Sequence, residues 1–184
     1  MRYYDLYESP HGQILLSATE AGLAGVYFSG QKYFPKDGSE WRRDERNALL
    51  QQAKRELEEY FSGTRKRFEV ALDPAGTPFQ HAVWKAISGV GYGETISYGE
   101  LARRAGAAGR ARAVGAATGR NPIGIIVPCH RIVGADGSLT GYAGGLERKR
   151  ALLALEAGAL PLYSHAAPTA TGPERASRAP RLPC

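Results

Sequence analysis

Asn121-Pro122-Ile123-Gly124-Ile125-Ile126-Val127-Pro128-Cys129-His130-Arg131-Ile132-Val133 is the stretch around which this chain is organised. Ile123 to Val127, apolar or small throughout, predict a short buried strand, and Pro128, which lacks the N–H that a ladder needs, ends it. Cys129 then stands where regular pairing stops. His130 can take a proton and Arg131 adds positive charge, two means of holding a thiol partly as thiolate near neutral pH. Taken alone, such a pair is more simply a buried structural cysteine followed by two surface residues. The decision therefore rests on what surrounds it.

Downstream, Gly134 to Gly145 is a glycine-rich loop holding Tyr142 and Ala143. Leu146 to Ala157 then reads as a helix with Leu152, Leu153 and Leu155 turned inward and Gly158 as its stop. Glu156 falls in the last turn, where a carboxylate opposes the helix dipole, so a cationic or donor partner would suit it; a solvated side chain is the plainer alternative. From Ser164 to Cys184, Ala, Pro, Thr, Ser and Arg predominate, which predicts a disordered tail over residues 164–184.

Upstream, Phe79, Val83, Trp84 and Ile87 recur on one helical face, with Trp84 read as core. Ser97-Tyr98-Gly99-Glu100 has the spacing of a capping box and starts a short helix ending near Gly106. A second short helix, Ala111 to Thr118, gives the pair the proportions of a helix-turn-helix. Ala111, Ala113 and Gly115 are small enough to let that helix press against another surface, and Arg110, Arg112 and Arg120 could bond to phosphate; an ordinary packing helix would be Ala-rich too.

The first 78 residues carry no reactive constellation. Tyr3 to Tyr7, Gln13 to Ala18 and Leu23 to Phe28 alternate between turn signals and predict a three-stranded antiparallel meander. From Trp41 to Phe61 the spacing becomes helical, with Leu49, Leu50, Ala53, Leu57, Tyr60 and Phe61 as the apolar stripe. Phe68 to Leu72 could add a strand, and Asp73 to Pro78 reads as a linker. Residues 1–78 and 79–163 thus form two expected domains.

At 184 residues and 43% hydrophobic content the chain can bury one or two modest cores. No apolar run reaches the ~20 residues of a membrane span, and no secretory signal opens the chain, so an intracellular, cytoplasmic protein is expected. Two cysteines argue against a disulfide framework. The net charge of +6 is uneven: residues 1–78 hold 11 basic against 12 acidic side chains, whereas residues 79–163 hold 10 against 5. The basic excess surrounds Cys129, where it would attract phosphate.

Four separated segments, Phe79-Gln80 with Val83-Trp84, Ser97-Tyr98 with Leu101-Ala102, Arg112-Ala113-Val114-Gly115, and Asn121-Pro122 through Arg131, together resemble the O6-alkylguanine-DNA alkyltransferases in order and spacing. The resemblance covers roughly residues 79–160, and the first domain more loosely. It implies an α/β protein: a small ribonuclease-H-like α/β N-terminal domain followed by a mainly helical C-terminal domain with a helix-turn-helix. By resemblance, Cys129 accepts the alkyl group, His130 and Glu156 complete a Cys–water–His–Glu relay, and Asn121 braces the turn. Tyr98 would protonate the leaving guanine. The carbonyls of Val127 and Cys129 would accept from the base's exocyclic amine, the Ala143 N–H would approach O6, and Tyr142 would line the pocket. Arg112 would replace the flipped nucleotide in the stack, with Ala111, Ala113, Gly115 and Tyr98 against double-stranded DNA. The family's reaction is stoichiometric and irreversible, without cofactor. A first domain lacking cysteine implies none of the zinc held by animal members. A monomer is expected. Three rivals remain: a DNA-binding alkyltransferase-like protein, which Cys129 argues against; a Cys-His-Glu hydrolase; and a transcription factor, which would want a more polar second helix.

Overall fold

Turn residues at Pro10–Gly12 and Thr19–Gly22 fold the first thirty residues back on themselves twice, and Gly12 takes φ +106°, open to glycine at little cost. The computed structural model describes residues 1–36 and 40–159; the tail expected at 164–184 lies outside the described residues. Strands β1 (Arg2–Ser9), β2 (Gly12–Ala18) and β3 (Leu23–Phe28) form the expected meander, with Tyr3 opposite Ala18 and Ile14 opposite Phe28. A fourth strand, β4 (Trp41–Arg43), runs parallel to β1 and gives the sheet order β3-β2-β1-β4.

Trp41 is therefore not helical. The helix α1 (Ala48–Phe61) begins only where the Asn47 side chain accepts from the Leu49 and Leu50 N–H groups, at 3.1 and 3.2 Å. It buries Leu50, Ala53, Leu57, Tyr60 and Phe61 against the sheet. Its buried Glu56 accepts from the N–H groups of Glu69 and Val70, which occupies donors that a ladder through Phe68–Leu72 would need; a single bridge, Leu23 to Leu72, remains.

Thr77 and Gln80 cap each other reciprocally and Pro78 opens α2 (Pro78–Ser88), so the true capping box lies here. At Ser97 only half of one forms: its hydroxyl accepts from the Glu100 N–H at 3.1 Å, while the Glu100 carboxylate turns to Arg103 and Arg104. Helices α3 (Tyr98–Arg104) and α4 (Ala111–Gly119) follow and pack on α2. Trp84 Nε1 donates to the Ala117 carbonyl at 2.9 Å, so this core indole also fixes α4 to α2. Two-residue strands β5 (Ile96–Ser97) and β6 (Ile132–Val133) pair in parallel and set the start of α3 beside the cysteine segment.

Ile123 to Val127 does not form the expected strand. Only one bridge forms, Val26 to Ile123, with Val26 N–H donating to the Pro122 carbonyl at 2.8 Å and Gly124 N–H to the Val26 carbonyl at 3.2 Å. The chain then turns tightly: Ile126 N–H donates to the Gly124 carbonyl at 2.8 Å across Ile125, whose φ is +69°. A γ-turn of that hand on a β-branched residue costs about 1–3 kcal/mol and persists only where its surroundings hold it; Ile125 is fully buried. Helix α5 (Leu146–Glu156) ends at Gly158, φ +81°, with Ala159 N–H bonded back to the Ala154 carbonyl. Its inward face is Lys149, Leu152 and Glu156, with Leu153 and Leu155 only half-buried. Among the described residues no helix is long and apolar enough to cross a membrane.

Candidate active site and its helical flank

Pro128 takes φ −81° and ψ 62°, an inverse γ-turn closed by the Cys129 N–H on the Val127 carbonyl at 2.8 Å, and Cys129 opens a 3-10 turn through Arg131. The cysteine is 6% exposed. Asn121 braces this bend: its Nδ2 donates to the Val127 carbonyl at 2.8 Å and reaches Cys129 Sγ at 3.2 Å, while its Oδ1 accepts from the Ile123 N–H at 3.0 Å. The Val127 carbonyl thus already accepts two hydrogen bonds, which fills both lone pairs and leaves it poorly placed to receive an amine from a base.

His130 is fully buried, and its Nε2 lies 2.6 Å from Glu156 Oε1. Its Nδ1 has no hydrogen-bond partner among the described residues. The Glu156 carboxylate is the centre of a dense donor set. Oε1 also accepts from Tyr60 OH at 2.7 Å and Arg131 Nη2 at 3.0 Å, and Oε2 from Arg131 Nε at 2.9 Å and the Gly93 N–H at 3.1 Å. Burial alone would raise its pKa, yet the hydrogen bonds from His130, Arg131 and Tyr60 and the charge beside it hold the carboxyl at about 2. Burial lowers the His130 pKa and Glu156 opposes that only in part, so the imidazole is neutral at pH 7, with Nε2–H donating to the carboxylate and Nδ1 left as the basic nitrogen.

Arg131 does not serve the thiol. Its guanidinium is committed to Glu156 and, through Nη1, to the Val90 carbonyl at 2.5 Å. Burial pushes the Cys129 thiol up; the Asn121 hydrogen bond and then the charge of Lys149 oppose this without overcoming it. At rest the group is a thiol rather than the partly ionised nucleophile expected, so its proton must leave during reaction.

The cation that acts on the thiol is Lys149, 20 residues on and invisible to adjacency. Fully buried, it donates from Nζ to the carbonyls of Ile132 at 2.5 Å and Thr140 at 2.8 Å, tying β6 to the glycine-rich loop. The signal was present, since Lys149, Leu152 and Glu156 share one helical face. Tyr98 OH bonds to the carbonyls of Thr140 at 3.3 Å and Gly141 at 3.4 Å. Burial, then proximity to Cys129, raises the pKa of both Tyr98 and Tyr142, so both phenols stay neutral at pH 7. The Ala143 carbonyl accepts from the Lys32 N–H at 3.1 Å, so the first domain also holds this loop. Among the described residues no group of three His, Cys, Asp or Glu side chains could hold a metal ion.

On the flank, Ala111 and Arg112 are exposed while Ala113 and Gly115 are half-buried. Gly115 lies against the Tyr98 ring, 3.8 Å from where a Cβ would begin. No side chain caps the start of α4, so its first N–H groups are open to an anion. The arrangement therefore offers a thiol, a general base, neutral proton donors and a basic helical face within one domain.

Comparison with known proteins gives the same picture. Residues 2–74 match the family description "6-O-methylguanine DNA methyltransferase, ribonuclease-like domain" and residues 78–158 match "6-O-methylguanine DNA methyltransferase, DNA binding domain". The methylated-DNA–protein-cysteine methyltransferase of Methanosarcina acetivorans is 49% identical over 154 residues, 84% of this chain and 97% of that protein. The enzyme of the same name from Mycobacterium tuberculosis is 48% identical over 156 residues, 85% of this chain and 93% of that one. Among solved structures, Mycobacterium tuberculosis OGT in complex with DNA superposes with a TM-score of 0.80 at 46% identity, covering 87% of this chain and 96% of that one. With both halves matched in order and the braced cysteine turn beside a helix-turn-helix, the chain belongs to the 6-O-methylguanine DNA methyltransferase family.

Proposed function

We propose that this protein repairs DNA by moving the alkyl group of O6-alkylguanine in a duplex onto Cys129, once per molecule. The observation that carries the reading is the Cys129 turn itself: a thiol braced by Asn121, backed by the His130–Glu156 pair, and set next to α3 and α4. Because O6 lies within the base stack, the nucleotide must be extruded to meet the sulfur, and exposed Arg112 on α4 is the side chain we assign to fill the gap, with Ala111, Ala113 and Gly115 along the groove. Binding would be dominated by phosphate contacts.

In the reaction the Cys129 proton passes through a water to His130 Nδ1, and Glu156 stabilises the imidazolium. The sulfur attacks the alkyl carbon, an S–C bond forms and the C–O6 bond breaks. The departing guanine takes a proton from Tyr98, whose phenolate regains one from solvent as the His130 imidazolium releases the proton taken from the thiol, and the product is a thioether with an unmodified base. Tyr142 and the Ala143 N–H are assigned to the pocket around the purine. The protein acts as a monomer, in a reducing compartment such as the cytoplasm, where a free thiol persists.

The test is a duplex carrying radiolabelled O6-methylguanine. Label should move to the peptide containing Cys129, at about one methyl per protein by the single-acceptor chemistry, and not at all in Cys129→Ala. Release of label as free product with continued turnover would refute the mechanism. For the DNA half, Arg112→Ala should slow duplex repair far more than reaction with free O6-benzylguanine; equal losses would remove the flipping role.

A further inference from the structure

We propose that Tyr60 of the first domain is a positioning residue of the alkyl-transfer site, its hydroxyl fixing the Glu156 carboxylate that orients His130; this rests on the reading of Cys129 as acceptor. Tyr60 lies in the last turn of α1, 96 residues before Glu156, and donates to Oε1 at 2.7 Å from a fully buried position. Its ring is packed against Phe61 and Phe68, each at 5.5 Å between centroids, and Tyr92 at 6.2 Å, so the hydroxyl has little freedom to swing away. Burial, then the neighbouring Glu156 charge, holds the phenol well above its ordinary range, and the group is a donor at any working pH.

The consequence follows from sharing. Oε1 receives three donors, Tyr60, His130 and Arg131, where a carboxylate oxygen has room for about two. Tyr60 thus draws off electron density that would otherwise strengthen the pairing with His130. Without its O–H, the carboxylate would hold the His130 proton more tightly, favour the imidazolium and keep the base charged, and so unable to accept the thiol proton, over more of the acid range. The other ionisable groups facing this cluster are Arg131, Lys149 from α5, Tyr92 after α2, Tyr142 in the glycine-rich loop and Cys129 itself. Burial shifts both tyrosines and the thiol upward, away from the acid range, and shifts the Lys149 ammonium downward, while the lowered His130 imidazole is the base whose charge the acid limb follows.

Tyr60→Phe keeps the ring and removes only the hydroxyl. With free O6-benzylguanine as alkyl donor, the rate of Cys129 alkylation should be measured from pH 4 to 8 in both proteins, alongside the NMR titration of the His130 imidazole. The acid limb should move to higher pH by about half to one unit, a three- to tenfold slower reaction on that limb, with the rate near pH 8 within about twofold. The imidazole should titrate higher by the same amount. Superimposable profiles, an unmoved imidazole, or a loss equal at every pH would each overturn the proposal. Failure of the acceptor reading looks different: the unmutated protein would carry no alkyl group on Cys129.

Discussion

Replacing Glu156 by glutamine keeps the shape of the side chain and removes its charge, and the structure gives two scales for the cost. Arg131 is 6% exposed and gives Nε and Nη2 to the carboxylate at 2.9 and 3.0 Å, so the variant leaves a buried guanidinium without its counter-ion, a loss of about 3–5 kcal/mol. Independently, the carboxyl pKa falls from the usual 4.5 to about 2, which linkage converts to about 2–3 kcal/mol after a discount for solvent screening. Both scales meet near 3 kcal/mol, or a melting temperature lower by about 6–12 °C for a chain of this size. Urea unfolding read from pH 7 into acid tests the assignment. A carboxyl whose folded pKa is depressed contributes fully above its unfolded pKa and loses that contribution as the pH falls towards the folded one. The gap between wild type and Glu156→Gln should therefore be complete at pH 7 and close between about pH 4.5 and 2. A cost below about 1 kcal/mol at pH 7, or a gap that persists in acid, would show that this carboxylate does not anchor the site.

Lys149→Met removes a cation whose field opposes the upward shift of the Cys129 thiol, so iodoacetamide should alkylate Cys129 more slowly at pH 8 in a Cys184→Ser background, and the half-maximal pH should rise; an unchanged profile would limit Lys149 to holding the Ile132 and Thr140 carbonyls. At Ile125, where φ is +69°, both small substitutions lose buried side-chain volume, but Ile125→Gly should be more stable than Ile125→Ala by about 1–2 kcal/mol in urea, the reverse of the usual order, since only glycine takes this conformation freely.

What could be read from the sequence was local. The meander is announced by period-two alternation between turn residues, and α1 by its stripe, although Asn47 and not Trp41 sets its start. Asn121, Cys129 and His130 lie within ten positions of one another, so their grouping is visible in one stretch. Ile123 to Val127 misled because a fully apolar run looks the same in a buried strand and a buried turn; only the backbone shows Ile125 reversing the chain. Adjacency points Arg131 at the thiol, whereas its reach carries it to Glu156, 25 residues on. On α5 the leucines suggested an apolar face, yet Lys149 and Glu156 are the side chains turned in, each satisfied by groups from distant segments. Tyr60 has no local signature at all, as its partner belongs to the other half of the chain.

The outer border of β3 is closed in two places: at Leu23, where its N–H donates to Ala71 and its carbonyl accepts from Asp73, and at Val26, which pairs with Pro122 and Gly124. The second closure comes from the residues that lead into the cysteine turn. A fragment consisting of the first half alone would leave the Val26 amide and carbonyl unmated on a strand whose neighbours are apolar, a template onto which another molecule could add a strand of its own. Disturbance of the reactive segment thus reaches beyond chemistry, because the stretch leading to the sulfur also covers part of this strand's edge.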